Sequence, residues 1–486
     1  MAANFVTRGE IMLTEREDQF YIGGQWQESG DVNRLPVVNP ASERVVGHIA
    51  AGGAHHVALA VAAARNAFPA FSQTTVAERL GLLGRMHSLL KERAETFAEA
   101  LAIEMGAAIS FARASQVPFA SEHIRVQMET LEKYRFVTID GRTATAKEAI
   151  GVCALITPWN WPLYQITAKV APAIAAGCTV VLKPSELSPY SALLFAQLMH
   201  DAGVPAGVFN LVNGTGERVG AALASHPEVD MISITGSTRA GVLVAQAAAP
   251  TVKRVVQELG GKSPNILLDD ADFSQAISKG VLAGMRNVGQ SCSAPTRMLV
   301  PTHRLGEVEE LASATARAIR VGAPLDPATD MGPIANLPQF ERIQTMIQAG
   351  IDDGAKLLCG GLGRPAGIER GFFTQPTIFS EVKSDMRIAR EEIFGPVLSI
   401  MPYKNEEEAI AIANDTVYGL GAHVQSSDPE RARRVALRIR AGQVHINYPA
   451  WDGAAAFGGY KRSGNGREYG VYGLEEYLET KSILGY

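Results

Sequence analysis

Short apolar runs that alternate with helix-length segments constrain this chain more than any other feature. From residue 151 the runs 151–157, 179–183, 209–212 and 231–235 read as strands, and 164–176, 188–202, 217–225 and 237–249 as helices. Strands and helices alternating at this length build right-handed βαβ units on a parallel sheet. Ser188-Pro189 predicts a helix start, with serine as N-cap and proline in the first turn. After 254–259 a second series begins. It has strands at 265–268, 297–300, 398–402 and 443–447, and helices leading to Cys292 and at 305–320, 339–350 and 406–414. Two α/β units place a crevice between them, where ligands bind in such folds.

Upstream, residues 20–26 read as a hairpin around Gly23-Gly24, 55–68 as a helix, and 76–133 as two or three more. Residues 135–145 look like an exposed strand with no evident partner, and 473–486 end in a β-like segment. The Pro-, Gly- and Asp-rich stretch 322–336 is the longest irregular connection and a candidate cover over a site. A net charge of −5 without a basic run argues against nucleic acid or an anionic membrane as partner. The most apolar stretch, 149–182, is broken by Pro158, Asn160, Pro162, Lys169, Pro172 and Gly177, so no membrane span is expected. Cys153, Cys178, Cys292 and Cys359 lie far apart, which predicts neither a disulfide framework nor a metal site and points to a reducing, cytoplasmic setting. The acidic N-terminus is not a signal peptide, and Met12 is an alternative start that would leave 1–11 as a disordered extension.

Cys292 stands where a helix gives way to a strand, between the small residues Ser291 and Ser293. Such a thiol can act as a nucleophile if a base or positive potential is near; otherwise it is an inert buried cysteine. Thr235-Gly-Ser-Thr238 follows an apolar strand and opens a helix, so its N–H groups suit a pyrophosphate, or Ser237 is an ordinary cap. Asn213-Gly-Thr-Gly-Glu-Arg-Val-Gly220 is a weaker phosphate signal. Lys183 and Glu186 at a strand end suit a ribose, or form a surface ion pair. The Glu186 carboxylate would repel a 2′-phosphate, which favours NAD, with NADP still possible.

Eight segments in order resemble the aldehyde dehydrogenase superfamily over nearly the whole chain. They are Tyr21-Ile-Gly-Gly-Gln-Trp26, Thr157-Pro-Trp-Asn-Trp-Pro162, Lys183-Pro-Ser-Glu186, Thr235-Gly-Ser237, Glu258-Leu-Gly-Gly-Lys-Ser-Pro-Asn265, Gly289-Gln-Ser-Cys292, Glu391-Glu-Ile-Phe-Gly-Pro396 and Phe457-Gly-Gly-Tyr-Lys-Arg-Ser-Gly-Asn-Gly-Arg-Glu468. The resemblance implies an α/β fold in three parts: a Rossmann-like NAD domain (1–128 and 148–259), a catalytic α/β domain (260–470), and a small bridging β element (129–147 and 471–486). The bridging element implies a homodimer or homotetramer. It implies Cys292 as nucleophile, Asn160 as oxyanion donor with the Cys292 N–H, and Glu258 as the base that activates water. Lys169 and Glu468 match a proton path. Cofactor contacts carry over to Ile156, Thr157, Pro158, Trp159, Lys183, Ser185, Glu186, Gly216, Gly220, Thr235, Gly236, Ser237, Leu259, Gly260, Glu392 and Phe394. The apolar setting after Val255-Val256 predicts a raised pKa for Glu258.

Departures from the family pattern bear on the substrate. Trp161 stands where phenylalanine is commoner and Ala168 where several members carry tryptophan; Tyr164, Gln165, Ser291, Ser293, Trp451 and Phe457 take other expected tunnel positions. A widened, apolar tunnel implies a medium-sized apolar or aromatic aldehyde. Arg113 is the one candidate for holding a substrate carboxylate. Four rivals stand beside hydrolytic aldehyde oxidation. A CoA-acylating semialdehyde dehydrogenase would lack Glu258, and a glyceraldehyde-3-phosphate enzyme would need placed cations. A cysteine hydrolase would not need NAD, and a non-enzymatic structural relative would not need an intact Cys292, Glu258 and Asn160.

Overall fold

The computed structural model describes residues 14–30 and 32–486, so the expectation for Met12 and 1–11 lies outside the described residues. Five parallel strands form the centre of the first sheet, in the spatial order Arg254–Glu258, Met231–Thr235, Val152–Ile156, Thr179–Lys183 and Phe209–Leu211. Every residue of Val152–Ile156 is buried. Cys153 and Leu155 enter one core, while Val152, Ala154 and Ile156 enter the other. Both faces are covered by helices, which is why the strand reads as a continuous apolar run and not as an alternating one.

The hairpin Gln19–Ile22 with Gln25–Glu28 joins one edge through Tyr21 and Leu211. At the other edge Gly464–Asn465, from late in the chain, pairs antiparallel with Arg254–Glu258. The chain runs outward from Val152–Ile156 on one side and then returns to the other. Strand order therefore reverses between Val152–Ile156 and Met231–Thr235, and the carboxyl ends of these strands open a crevice there.

The second sheet has seven strands in the order Lys356–Cys359, Thr377–Ser380, Val397–Tyr403, Arg297–Pro301, Pro264–Leu267, Gly421–Gln425 and Gln443–Ile446, all parallel except the first. The sequence reading lacks Lys356–Cys359, Thr377–Ser380 and Gly421–Gln425. Strands of four or five residues carry too little periodicity to separate from a short buried helix.

Three expected elements differ in detail from their sequence reading. The exposed strand at 135–145 is a hairpin, Val137–Asp140 with Thr143–Ala149, turning at Gly141. Its partner within this chain is the tail, Leu478–Leu484, paired from Leu478 against Ala149 to Leu484 against Thr143. The helix Tyr190–Asp201 begins two residues beyond Ser188. Its first N–H groups are taken by the buried Glu104 carboxylate, at 2.5 Å from Tyr190 N and 3.2 Å from Ser191 N. A carboxylate answers bare N–H groups and the helix dipole more strongly than a hydroxyl. The stretch 322–336 is a packed strap: Met331 and Ile334 are buried, Ile109 N donates to Pro324 O at 2.7 Å, and Ala335 N donates to Gln290 Oε1 at 3.0 Å.

The helix Val117–Lys133 runs unbroken through residue 128, and the strand Thr143–Ala149 through 147. Among the described residues, no helix is long and apolar enough to cross a membrane.

Candidate active site

The carboxyl ends of the first sheet meet the amino ends of the second. Glu258 is the last residue of Arg254–Glu258, and the chain passes through Leu259, Gly260 and Gly261 into Pro264–Leu267. The loop bearing Cys292 enters Arg297–Pro301 from the same side. Glu392 and Phe394 precede Val397–Tyr403. One junction thus gathers three segments that are far apart in sequence.

The Cys292 loop is held in an uncommon conformation. After the helix Phe273–Met285, Asn287, Val288 and Gly289 all have positive φ (52°, 59° and 66°). For the β-branched Val288 this costs on the order of 1–3 kcal/mol and persists only where neighbours over-determine it. Buried amides do so. Asn287 Nδ2 donates to Asn160 O at 2.8 Å and Gln290 O at 3.1 Å, and Gln116 Nε2 donates to Asn287 Oδ1 at 3.0 Å. Gly289 is required twice, by its φ and because a Cβ there would strike the Gly395 carbonyl.

Asn160 Nδ2 donates to Gln290 O at 2.9 Å, two residues before the nucleophile candidate. An amide carries two N–H donors, so the other remains for an oxyanion. Glu258 is 1% exposed, and neither carboxylate oxygen has a hydrogen-bond partner among the described residues. Burial, and then the charge of Glu468, hold its carboxyl well above the usual carboxylate range, as its sequence setting predicts. Cys292 is partly exposed. Burial, followed by the charges of Glu258, Glu392 and Glu468, pushes its thiol well above the ordinary value. This favours the protonated thiol over the thiolate.

Lys169 Nζ is fully buried, is ion-paired with Glu468, and donates to Ser233 Oγ at 3.1 Å. It lies on Pro162–Ala176, a helix buried on all sides and capped by left-handed Gly177. Lys169→Met leaves Glu468 buried without its cation, so urea unfolding should show a loss of about 3–5 kcal/mol. Lys169→Met with Glu468→Leu should recover most of that loss.

The expected cofactor residues gather at the crevice. Lys183 Nζ lies 2.9 Å from Glu186 Oε2, with the lysine side chain 4% exposed and the glutamate 32%, so only the carboxylate reaches solvent. Ser185 Oγ accepts from Leu187 N at 3.2 Å. Ser237 caps Thr238–Ala248 by accepting from Ala240 N at 3.2 Å. A Cβ on Gly216 would meet nothing within 4 Å, and on Gly220 or Gly236 only ordinary contacts. Ile156 is nearly buried beside Gly220, and Thr157 N donates to Lys183 O at 3.1 Å. Pro158 leads to Trp159, whose ring meets Phe394 edge-on at 5.4 Å. Leu259 packs over Gly241, and the Glu392 carboxylate lies against Gly260. Glu392 Oε1 accepts from Gly261 N at 2.9 Å, and burial pushes its carboxyl up to about 7. Open backbone at a helix start, a Lys–Glu pair and a buried carboxylate fit a dinucleotide.

Aromatic rings pack beside the thiol. Trp161 Nε1 donates to Ser291 Oγ at 2.9 Å. Phe119 stacks on Trp451 at 4.6 Å and Phe457 on Tyr469 at 5.0 Å, while the Tyr164 and Tyr469 hydroxyls are hydrogen-bonded. Ala168 lies one helical turn beyond Tyr164 on the same face and is buried. Ser293 sits beside Gly421. Gln165 turns away from the rings, its Oε1 accepting from Thr235 Oγ1 at 3.2 Å. Arg113 is also elsewhere, paired with Glu95 on the surface. The sequence reading missed Asn287, Gln290, Gln116, Phe119, Tyr469 and Arg286; the unusual left-handed Asn287-Val288 pair left no compositional mark.

A thiol, an amide and a carboxyl without a hydrogen-bond partner among the described residues meet at the junction of the two sheets, an arrangement that suits a cysteine-dependent enzyme. The aldehyde dehydrogenase family model matches residues 26–483. The chain is 55% identical over 469 residues to the 3-succinoylsemialdehyde-pyridine dehydrogenase of a Pseudomonas species, covering 96% of this chain and 98% of that protein. It is 67% identical, with a TM-score of 0.96 and 97% of each chain covered, to a crystallised mutant of aldehyde dehydrogenase C from Pseudomonas syringae in complex with NAD+ and octanal. A Mycobacterium tuberculosis aldehyde dehydrogenase complexed with NAD+ is 39% identical, with a TM-score of 0.94 over 96% of this chain and 98% of that one. The chain belongs to the aldehyde dehydrogenase family.

Proposed function

We propose that this protein oxidises a medium-sized apolar or aromatic aldehyde to its carboxylic acid with NAD, as a homodimer or homotetramer in the cytoplasm. The observation that carries the reading is Glu258, buried beside Cys292 and without a hydrogen-bond partner among the described residues, with Asn160 holding the Cys292 loop. Relatives crystallised with NAD+, one of them also with octanal, support the cofactor and the aldehyde class.

Cys292 Sγ attacks the carbonyl carbon as the thiolate, its proton passing to solvent from this partly exposed position. The carbonyl oxygen becomes an anion, met by the second N–H of Asn160 and the Cys292 backbone N–H; a donor of this kind supplies about 3–4 kcal/mol. NAD, when bound, accepts the hydride. Thr157, Lys183, Glu186, Ser237, Glu392 and Phe394 would hold it. The thioester left on Cys292 needs water. Glu258 first sheds its proton, for which the Lys169–Glu468 pair behind it is the route. It then takes a proton from water as the water attacks, and the acid leaves. Glu186 favours NAD over NADP by repelling a 2′-phosphate.

A panel of aldehydes ordered by length, aromaticity and charge, read by NADH absorbance, tests the reading. Acyl-CoA as the main product when CoA is added would instead mark the CoA-acylating alternative, which has no use for Glu258. In the same assay Ala168→Trp, which fills space beneath Tyr164, should lower kcat/KM for octanal about 10–100-fold more than for propanal. Equal losses for both would place the passage elsewhere.

A further inference from the structure

Two buried cations stand behind the junction of the two sheets. Lys262 and Arg297 are each 1% exposed, and among the described residues no carboxylate forms an ion pair with either. Arg297 is satisfied all the same, because its guanidinium donates to Lys262 O, Ile412 O and Ala413 O, each at 2.9 Å. Lys262 is not. Its Nζ has no hydrogen-bond partner among the described residues, and neither has the Oγ of the adjoining Ser263. Glu392, whose charge Lys262 feels, accepts from Gly261 N instead. Burial, and then the charge of Arg297, lower the Lys262 pKa to about 7.

Lys262 and Ser263 line one small cavity of about 10 Å³, where the chain enters Pro264–Leu267. Thr416, Tyr418, Gly419 and Gly421 form much of the remaining wall. Ser263 Oγ lies against Gly421, where a Cβ would stand 3.3 Å from the hydroxyl. The lining includes a second cationic residue, Arg440, and no acidic one. A space of this size takes a single atom about as large as a water and shuts out phosphate or a carboxylate. A buried ammonium must give up its proton or acquire an anion, and a hydroxyl beside it adds a second donor.

Position gives an occupant leverage. Lys262 ends the segment that begins at Glu258. Within that segment Gly261 packs so closely that a Cβ there would strike the Cys292 carbonyl, and its N–H holds Glu392. Whatever fixes Lys262 therefore fixes the strip of chain that carries Glu258 and braces both Cys292 and Glu392.

We propose that the Lys262–Ser263 cavity binds one monatomic anion of chloride size, held between the ammonium and the hydroxyl as a structural counter-ion for the active-site junction. Crystals of the full-length protein soaked in sodium bromide, measured at the bromine absorption edge, should show an anomalous peak in this cavity, in contact with Lys262 Nζ. Lys262→Met should show none there. In solution, the thermal midpoint in chloride, set against gluconate at equal ionic strength, should rise by about 2–5 °C at a hundred times the dissociation constant. Lys262→Met should remove this rise and Ser263→Ala should reduce it. A wild-type cavity without bromide overturns the proposal, and so does a chloride rise undiminished in Lys262→Met. A bromide peak with no chloride effect on the midpoint marks binding at crystal concentration only and overturns it as well. Should Lys262→Met fail to fold, Ser263→Ala decides: an undiminished bromide peak and an undiminished rise refute the site.

Discussion

With Cys292 replaced by alanine, steady-state NADH formation should fall by about ten-thousand-fold or more, while NAD still binds. The magnitude follows from removing the atom that carries the acyl group: without a covalent intermediate, both hydride loss and hydrolysis lose their route. Retained binding follows from what holds the loop. Asn287, Gln290 and Gln116 fix its backbone through side-chain amides, and the cofactor candidates Lys183, Ser237 and Glu392 take their places from other strands. The alanine removes one sulfur from a partly exposed position, so the thermal midpoint should hardly move. Calorimetric titration with NAD, beside an NADH absorbance assay, separates the two effects. Turnover above a few per cent would reassign the nucleophile.

The parts of this site legible in the sequence are those in which one short segment carries its own structural context. Cys292 between a helix and a strand, Glu258 closing an apolar strand, and Ser237 opening a helix are local arrangements, and the fold brings them to one junction. What escaped was assembled across long separations. Glu104 caps a helix 86 residues away, replacing the nearer Ser188 that the local rule selects. Arg286 acquires its setting from Phe111, Phe119 and Trp161, none of which is near it in the chain. Arg113 lies in the helical segment Ala112–Gln116, where a neighbouring helix supplies Glu95 to neutralise it. Gln165 lies next to Tyr164 in sequence, but a helix turns consecutive residues by about 100°, and it reaches Thr235 in the sheet instead. The strands Thr377–Ser380 and Gly421–Gln425 exist because neighbours on both sides pair with them, which short apolar runs do not announce.

Glu258→Gln should separate the two halves of the reaction. The amide keeps the size of the carboxyl but takes no proton, so NADH should appear as a burst of about one per active site and then stall, with steady turnover down about 10²–10⁴-fold. Mass spectrometry of the stalled protein should find the acyl group on Cys292. The pH dependence follows from the direction of the shift. Glu258 is raised by burial and by the charge of Glu468, so it keeps its proton to higher pH than an ordinary carboxyl, and while protonated it cannot accept a proton from water. Deacylation should therefore rise with pH across a window above the ordinary carboxylate range and level off once Glu258 is ionised. Below that window the acyl-enzyme accumulates. Glu258→Gln should lose this rise in the deacylation step. Glu468→Gln should shift it to lower pH by removing the second-largest contribution holding the proton on. A variant that shows neither a burst nor an acyl-enzyme would take Glu258 out of the base role, and an unchanged pH profile in Glu258→Gln would assign the titration to another group.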